Sequence, residues 1–356
     1  MAMADSSRSF LLRLLETASP SGFEEAAARM WRAEAETFAD ETDVDVMGSS
    51  TARLRGDGGP TVIIEGHIDE IGVMISHIDD DGFIWFQPVG GWDDQVLIGQ
   101  RIRLLGAHGP VVGVIGKRPR HQLSPEDMNS VSKIRTQWID IGAKDGDDAR
   151  ARLRVGDVGV IEQPVLHLSD DLIACRGVDN RVGAFVALEA LRYLHDTDRP
   201  NADVWAVAAT QEEINFGGAR TSAYGINPDV AIVLDVTHAT DHPDADKRGN
   251  GVCRLGGGPM LARGSATSPV VVGRLLAAAE GANITVSVES TPRATGTDAD
   301  AIAFVRAGVP TGVVSIPNRY MHSPSEIVSL RDLDDCARLI AAFVRELGDA
   351  PDLRRH

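Results

Sequence analysis

Along this chain, short apolar runs end abruptly on charged side chains. Val62-Ile63-Ile64 passes through Glu65 and Gly66 to His67 and Asp69, and Val204-Trp205-Ala206-Val207-Ala208-Ala209 leads into Thr210-Gln211-Glu212-Glu213. Ala231-Ile232-Val233-Leu234 ends on Asp235, and Gly312-Val313-Val314-Ser315-Ile316 leads towards His322. Such runs predict buried strands, here at 61–66, 71–76, 204–209, 230–235, 284–289 and 311–316. Helical periodicity predicts helices over 8–18 and 23–37, about a Ser19-Pro20-Ser21-Gly22 turn, then from Asp179 onward and over 217–224, 268–280, 298–307 and 331–347. Asp179 and Asp298 each stand where an N-cap would serve.

Between residues 83 and 163 the pattern changes. Short strands alternate with Gly, Pro and Asp turns: Phe83 to Val89, Arg101 to Leu105, Val111 to Ile115, Trp138 to Ile141 and Val158 to Ile161. One helix is expected near Pro125 to Lys133. This reads as a small β-rich module inserted into a larger α/β domain.

With 43% hydrophobic and 24% charged residues, the 356-residue chain has the composition of an ordinary globular protein with one large domain or two. A net charge of −17 argues against nucleic acid or an anionic membrane as the main partner. Cys175, Cys253 and Cys336 have no paired spacing, which disfavours a disulfide framework and suits a reducing cytoplasm. No apolar run approaches the roughly 20 residues that span a bilayer, and Ser9 to Glu16 is too charged for a signal peptide. A cytoplasmic protein is expected.

In open α/β sheets the functional crevice lies beyond the carboxyl ends of the strands. Five segments deliver His67, Asp179, Glu212-Glu213, Asp235 and His322 to such an edge, a pattern that describes a site with more than one metal ion. His67 offers a neutral nitrogen, and Asp69 can orient its imidazole. The neighbours Glu212 and Glu213 point in different directions, so one can bind an ion while the other takes a proton from water. Read singly, the same residues have ordinary explanations: an acidic helix start for the Glu pair, an N-cap for Asp179, a strand-end turn for Asp235, a surface position for His322. Together, their nitrogen and oxygen donors suit zinc, cobalt or manganese. His238 and His242 are weaker candidates for further ligands or substrate contacts. Gly256-Gly257-Gly258-Pro259 and Arg263-Gly264 read as a flexible loop near the site rather than a phosphate cradle. Cys175 reads as a core residue, and there is no Gly-x-Ser-x-Gly.

The segments Gly66-His67-Ile68-Asp69-Glu70-Ile71-Gly72, Val178-Asp179-Asn180-Arg181-Val182-Gly183, Gln211-Glu212-Glu213, Leu234-Asp235-Val236 and Arg319-Tyr320-Met321-His322-Ser323-Pro324-Ser325-Glu326 resemble those of the dinuclear metallo-aminopeptidases called glutamyl or tetrahedral (TET) aminopeptidases. That family also contains proteins labelled endoglucanases, and the resemblance covers nearly the whole chain. It implies an α/β fold: a mixed-sheet, zinc-aminopeptidase-like catalytic domain from residues 1–72 and 164–356, with a small β-rich dimerisation domain inserted at 73–163. It implies that His67 and Asp235 serve one metal, that Glu213 and His322 serve the other, and that Asp179 bridges them, with a cis peptide bond between Asp179 and Asn180. Glu212 would be the general base and Asp69 the partner of His67. Two divalent ions per subunit are implied, zinc first and cobalt or manganese after it, with short peptides as substrates. The expected assembly is a homo-oligomer built from dimers, up to a dodecamer. Asn215 stands where the family commonly has glycine, and Thr237 to Gly251 is polar and charged, so the preferred side chain stays open.

Other readings remain at this point. A deacylase or carboxypeptidase-like amidohydrolase would need a cation for the substrate carboxylate, which Arg293 or Arg319 could supply. A glycosidase would want two carboxylates flanking a sugar rather than a His-containing metal edge. A non-catalytic oligomeric scaffold would not need every ligand position filled.

Overall fold

The computed structural model describes residues 3–355 apart from Glu126 and Asp198. Its frame is an eight-stranded mixed sheet in the order Glu41–Val44, Ser50–Leu54, Asp203–Ala209, Thr61–His67, Val230–His238, Thr311–Asn318, Met260–Gly264, Ser287–Thr291. The four central strands run parallel, so their carboxyl ends share one edge. Alternation of side chains divides the sheet into two faces. Ile64, Ala206, Leu234 and Val314 pack under the helices Asp5–Glu16, Glu25–Ala35, Val178–His195, Pro269–Gly281 and Leu330–Glu346. Ile63, Val207, Val233 and Val313 face Gly217–Ile226 and Ala299–Ile302. Each fully buried Leu, Val or Phe on these faces contributes about 1.5–3 kcal/mol.

Residues 72–161 leave the sheet and close a six-stranded barrel in the order Gly72–Ile78, Ile84–Val89, Gln137–Asp140, Gly109–Lys117, Arg101–Gly106, Val158–Ile161. Its interior is apolar, with Ile75, Ile84, Phe86, Leu104, Ile115 and Ile139 at its centre. The α/β architecture with a β-rich insert is the one the periodicity predicts.

Several local expectations are corrected. The helix expected near 125–133 is a short 3-10 turn at Asp127–Asn129, and Glu126 lies outside the described residues. The helix expected over 298–307 is confined to Ala299–Ile302, and the strand at 284–289 is Ser287–Thr291. Arg263 and Gly264 belong to the strand Met260–Gly264 rather than to a loop. Gly256 and Gly258 donate their N–H groups to Asp332. Neither Asp179 nor Asp298 caps a helix with its side chain. Among the described residues, no helix is long and apolar enough to cross a membrane.

Candidate metal centre

The expected ligands arrive on the parallel edge from five directions. His67 and Asp235 sit on adjacent strands, Glu212 and Glu213 follow Asp203–Ala209, and His322 follows Thr311–Asn318. Asp179 enters from the start of Val178–His195, where the Asp179–Asn180 peptide is cis. That helix comes so close because two glycines face each other: a Cβ on Gly66 would lie 2.4 Å from the backbone of Gly183. Asn180 locks the junction, donating from Nδ2 to the carbonyl of Leu234 at 2.8 Å and accepting from the Gly183 N–H at 3.1 Å.

Asp179 is the hub. Its Oδ1 lies 3.4 Å from His67 Nε2 and its Oδ2 lies 3.3 Å from His322 Nε2. His67 Nε2 is also 3.8 Å from Asp235 Oδ1, and His322 Nε2 is 3.5 Å from Glu213 Oε2. Ligands about 2.0–2.1 Å from a tetrahedral ion stand roughly 3.3 Å apart, so these spacings suit donors around a cation. His67–Asp179–Asp235 and Asp179–Glu213–His322 each gather three potential ligand atoms within 4.8 Å, and the two groups share Asp179. His67–Glu212–Glu213 forms a third such group, with Glu212 Oε2 3.6 Å from His67 Nε2. The residues present fit divalent cations.

Electrostatics favour the same reading. Burial pushes Glu212 up to about 9, helped by the charges of Asp298, Glu213 and Asp179. Burial likewise raises Glu213, and lifts Asp235 well above the usual carboxyl range. His322 is pushed up to about 11 by Asp179 and Glu213. Burial opposes a charge on His67, yet Glu212, Asp179 and Asp69 drive it well above the usual imidazole value. Glu213 Oε1 is buried without a hydrogen-bond partner. So much buried negative charge is costly without cations or protons to balance it.

Around this cluster stand residues that hold it in place. Asp69, fully buried, accepts the N–H groups of Glu212 at 3.1 Å and Glu213 at 3.2 Å, and its Oδ1 lies 3.4 Å from His67 Nδ1. It therefore anchors the two glutamates as well as the imidazole. Glu326 accepts the N–H groups of Asp179 at 2.9 Å and His322 at 2.8 Å. Glu24 accepts the Gln211 N–H at 3.1 Å. Gln211 and His322 both have left-handed backbones, at φ 60° and 57°. For residues with a side chain, such a backbone costs about 1 kcal/mol or more each, and these bonds help to hold it. From the barrel side, a Cβ on Gly90 would lie 3.3 Å from Glu213 Oε2, and one on Gly91 would lie 3.3 Å from His322 Nδ1.

Sequence patterning gives no role at the site to Glu24, Gly90 or Gly91, leaves Glu326 an unremarked member of a motif, and takes Asp298 for a cap. Glu65 carries a readable signal: a carboxylate inside an otherwise apolar strand. It is fully buried and pairs with Asp298, neither having another hydrogen-bond partner. Burial raises Glu65 to about 8 and Asp298 well above its usual range. The contact is a hydrogen bond only when one of the two carries a proton.

A cavity of about 380 Å³ opens beside the cluster, bounded by His67, Asp179, Glu212, Glu213, Asp235 and His322 on one side. His238 lines it, whereas His242 lies outside, with Nδ1 2.8 Å from the carbonyl of Pro243.

The family model for M42 glutamyl aminopeptidases matches residues 48–339, a span that holds all of these side chains except Glu24. The chain belongs to the M42 glutamyl aminopeptidase family. It is 35% identical to a lysyl aminopeptidase of Pyrococcus furiosus, over 94% of this chain and 96% of that protein. The structure of a TET aminopeptidase from a marine sediment Thaumarchaeota archaeon superposes with a TM-score of 0.93 at 33% identity, covering 96% of this chain and 97% of the other. The Pyrococcus horikoshii TET1 peptidase, whose solved structures assemble into a tetrahedron or a large octahedral shell, matches at TM-score 0.85 and 29% identity, covering 96% of this chain and all of its own. M42 peptidases are metal-dependent aminopeptidases, hydrolases of the peptide bond.

Proposed function

We propose that this M42 chain removes amino-terminal residues from short peptides, with Glu212 as the general base and two divalent cations per subunit. The observation that carries the reading is Asp179, whose two oxygens face two different histidines at 3.4 and 3.3 Å. His67 and Asp235 would hold one cation, Glu213 and His322 the other, and Asp179 both. Zinc is the first choice and cobalt or manganese fit the same donors; when bound, such ions polarise a carbonyl and make water more acidic.

The chain's own groups do the rest. With Asp179 serving both cation sites, Glu212 is left free to exchange protons, its backbone fixed by Asp69. Its carboxyl, pushed up to about 9 by burial and then by the neighbouring Asp298, Glu213 and Asp179, comes down towards neutrality once cations offset those charges. It would take a proton on the attacking side and return it to the departing amine. Asp69 keeps His67 oriented.

The cavity wall favours an aminopeptidase over a deacylase or carboxypeptidase. Neither Arg293 nor Arg319 lines it; Arg319 holds Asp241 through two hydrogen bonds of 2.7 Å, and Arg293 is exposed. Residues 73–163 would form the dimerisation module of a homo-oligomer, dimer or dodecamer. Val112 and Val114 lie on the barrel's outer surface, 54% and 48% exposed, and the TET1 relative assembles into closed shells.

The test is Glu212→Gln, assayed on unblocked and N-blocked aminoacyl p-nitroanilides. The proposal expects a fall of about 10²–10⁴ in kcat with metal content retained, and no turnover of blocked substrates. Full activity in the variant would remove Glu212 as the base.

A further inference from the structure

We infer that Glu289 makes the cavity selective for a cationic amino-terminal side chain, lysine or arginine. The inference rests on the aminopeptidase reading above.

Glu289 lies on the outermost strand, Ser287–Thr291, in register with Ala262. Its carboxylate reaches back across Ala262 towards the metal cluster. Oε1 accepts from Ser315 Oγ at 3.3 Å and Oε2 from Thr237 Oγ1 at 3.2 Å. Ser315 is the register partner of Asp235, and Thr237 follows Asp235 by two residues on the same face. The carboxylate is therefore fixed close to a proposed ligand, yet it belongs to none of the three ligand groups.

Beyond the proposed ligands the cavity wall is mostly small, apolar or hydroxylic, with Ala262, Val313, Thr291, Thr295 and Thr297, and it includes His238. Among the described residues, no Lys or Arg lines the cavity and no ion pair engages Glu289. Two hydroxyls hold the charge in place without neutralising it. A peptide whose amine and carbonyl meet the cation cluster has this part of the cavity left for its first side chain. An aliphatic stem would lie on Ala262 and Val313, and an ammonium or guanidinium tip would meet Glu289 in a charge-assisted hydrogen bond. A glutamyl side chain would face a like charge there, and a leucyl one would leave the carboxylate unpaired.

A purely structural Glu289, tying two strands together through Thr237 and Ser315, would serve equally well as glutamine. That difference defines the experiment. On the metal-loaded full chain, kcat/KM is measured for lysyl, arginyl, norleucyl and glutamyl p-nitroanilides, norleucine having a lysine-like stem without the ammonium. Affinities of lysine amide and norleucine amide are measured calorimetrically alongside. Lysyl over norleucyl by about tenfold or more is expected, in turnover and in binding, with glutamyl the poorest substrate. In Glu289→Gln the lysyl-to-norleucyl ratio should fall to about one, with thermal unfolding showing a folded variant. If that variant does not fold, the wild-type ratio decides. Norleucyl equal to or better than lysyl, or a ratio unchanged in Glu289→Gln, overturns the inference. Absence of turnover on every unblocked substrate would instead remove the aminopeptidase reading, and this inference with it.

Discussion

The barrel encloses Ile75, Ile84, Phe86, Leu104, Ile115 and Ile139, and its single buried polar side chain among the described residues, Gln137, donates to the carbonyls of Asp94 and Ser132. The carboxyl edge of the main sheet buries Glu65, Asp69, Asp179, Glu212, Asp235, Asp298 and Glu326 within one neighbourhood, against two imidazoles. One region is organised around apolar contact. The other concentrates like charge that the protein's own cations leave unbalanced. The difference teaches where stability and chemistry reside in this molecule: the barrel is built to persist, and the sheet edge is built to be completed by something bound.

Three substitutions sharpen that contrast, in descending order of expected effect. Phe86→Ala empties the middle of the barrel and should destabilise the chain by about 3–5 kcal/mol. Denaturant unfolding would show the loss, while cation stoichiometry should not change. A large loss of bound metal in this variant would break the separation between the two regions.

Glu70 tests the edge from its paired side. It is buried beside Arg176 and Arg181, with Nη1 of Arg181 at 2.7 Å from Oε1. Burial alone would raise its carboxyl, but Arg176 and Arg181 hold it below the usual value. Its stabilising contribution is therefore complete above the unfolded-state value near pH 4.5 and is lost as pH falls through the lower folded-state value. Glu70→Gln should cost about 3 kcal/mol near neutrality, with the deficit shrinking in acid. A variant as stable as the parent at pH 7 would contradict the pairing.

Glu65 is the opposite case. Its folded-state value, raised to about 8 by burial and then by Asp235 and Glu212, stands above the unfolded one near 4.5. The destabilisation is absent below the lower value, grows as pH rises between the two and is complete above the upper one. In metal-free protein, Glu65→Gln should stabilise by about 1–3 kcal/mol at pH 9 and little at pH 5. A pH-independent difference would show that the Glu65–Asp298 contact carries no proton.

Much of this edge was legible because the four parallel strands are largely apolar and either carry His67 and Asp235 near their carboxyl ends or lead into Glu212 and His322. Period-two patterning finds such strands, and their shared direction gathers the residues just past their carboxyl ends. The outer strands were harder. Glu41–Val44 is mostly polar and has no buried residue, and Met260–Gly264 has only three buried residues before the exposed Arg263 and Gly264, so their signal resembles that of loops. Asp298 satisfied a local rule for helix starts, and only the tertiary approach of Glu65 reveals what it faces. Glu326 and Glu24 act by accepting backbone N–H groups of distant residues, and no side-chain spacing encodes that. Glu289 reaches the cavity across a neighbouring strand, which requires the sheet order to be known.

The most direct test of the central claim, that Asp179 joins two cation sites at this edge, is a metal count on the purified protein and on Asp179→Asn. Elemental analysis should find two divalent ions per chain in the parent, and one or none in the variant, with its thermal transition still cooperative. An unchanged count in Asp179→Asn, or no more than one ion in a fully active parent, would contradict the account.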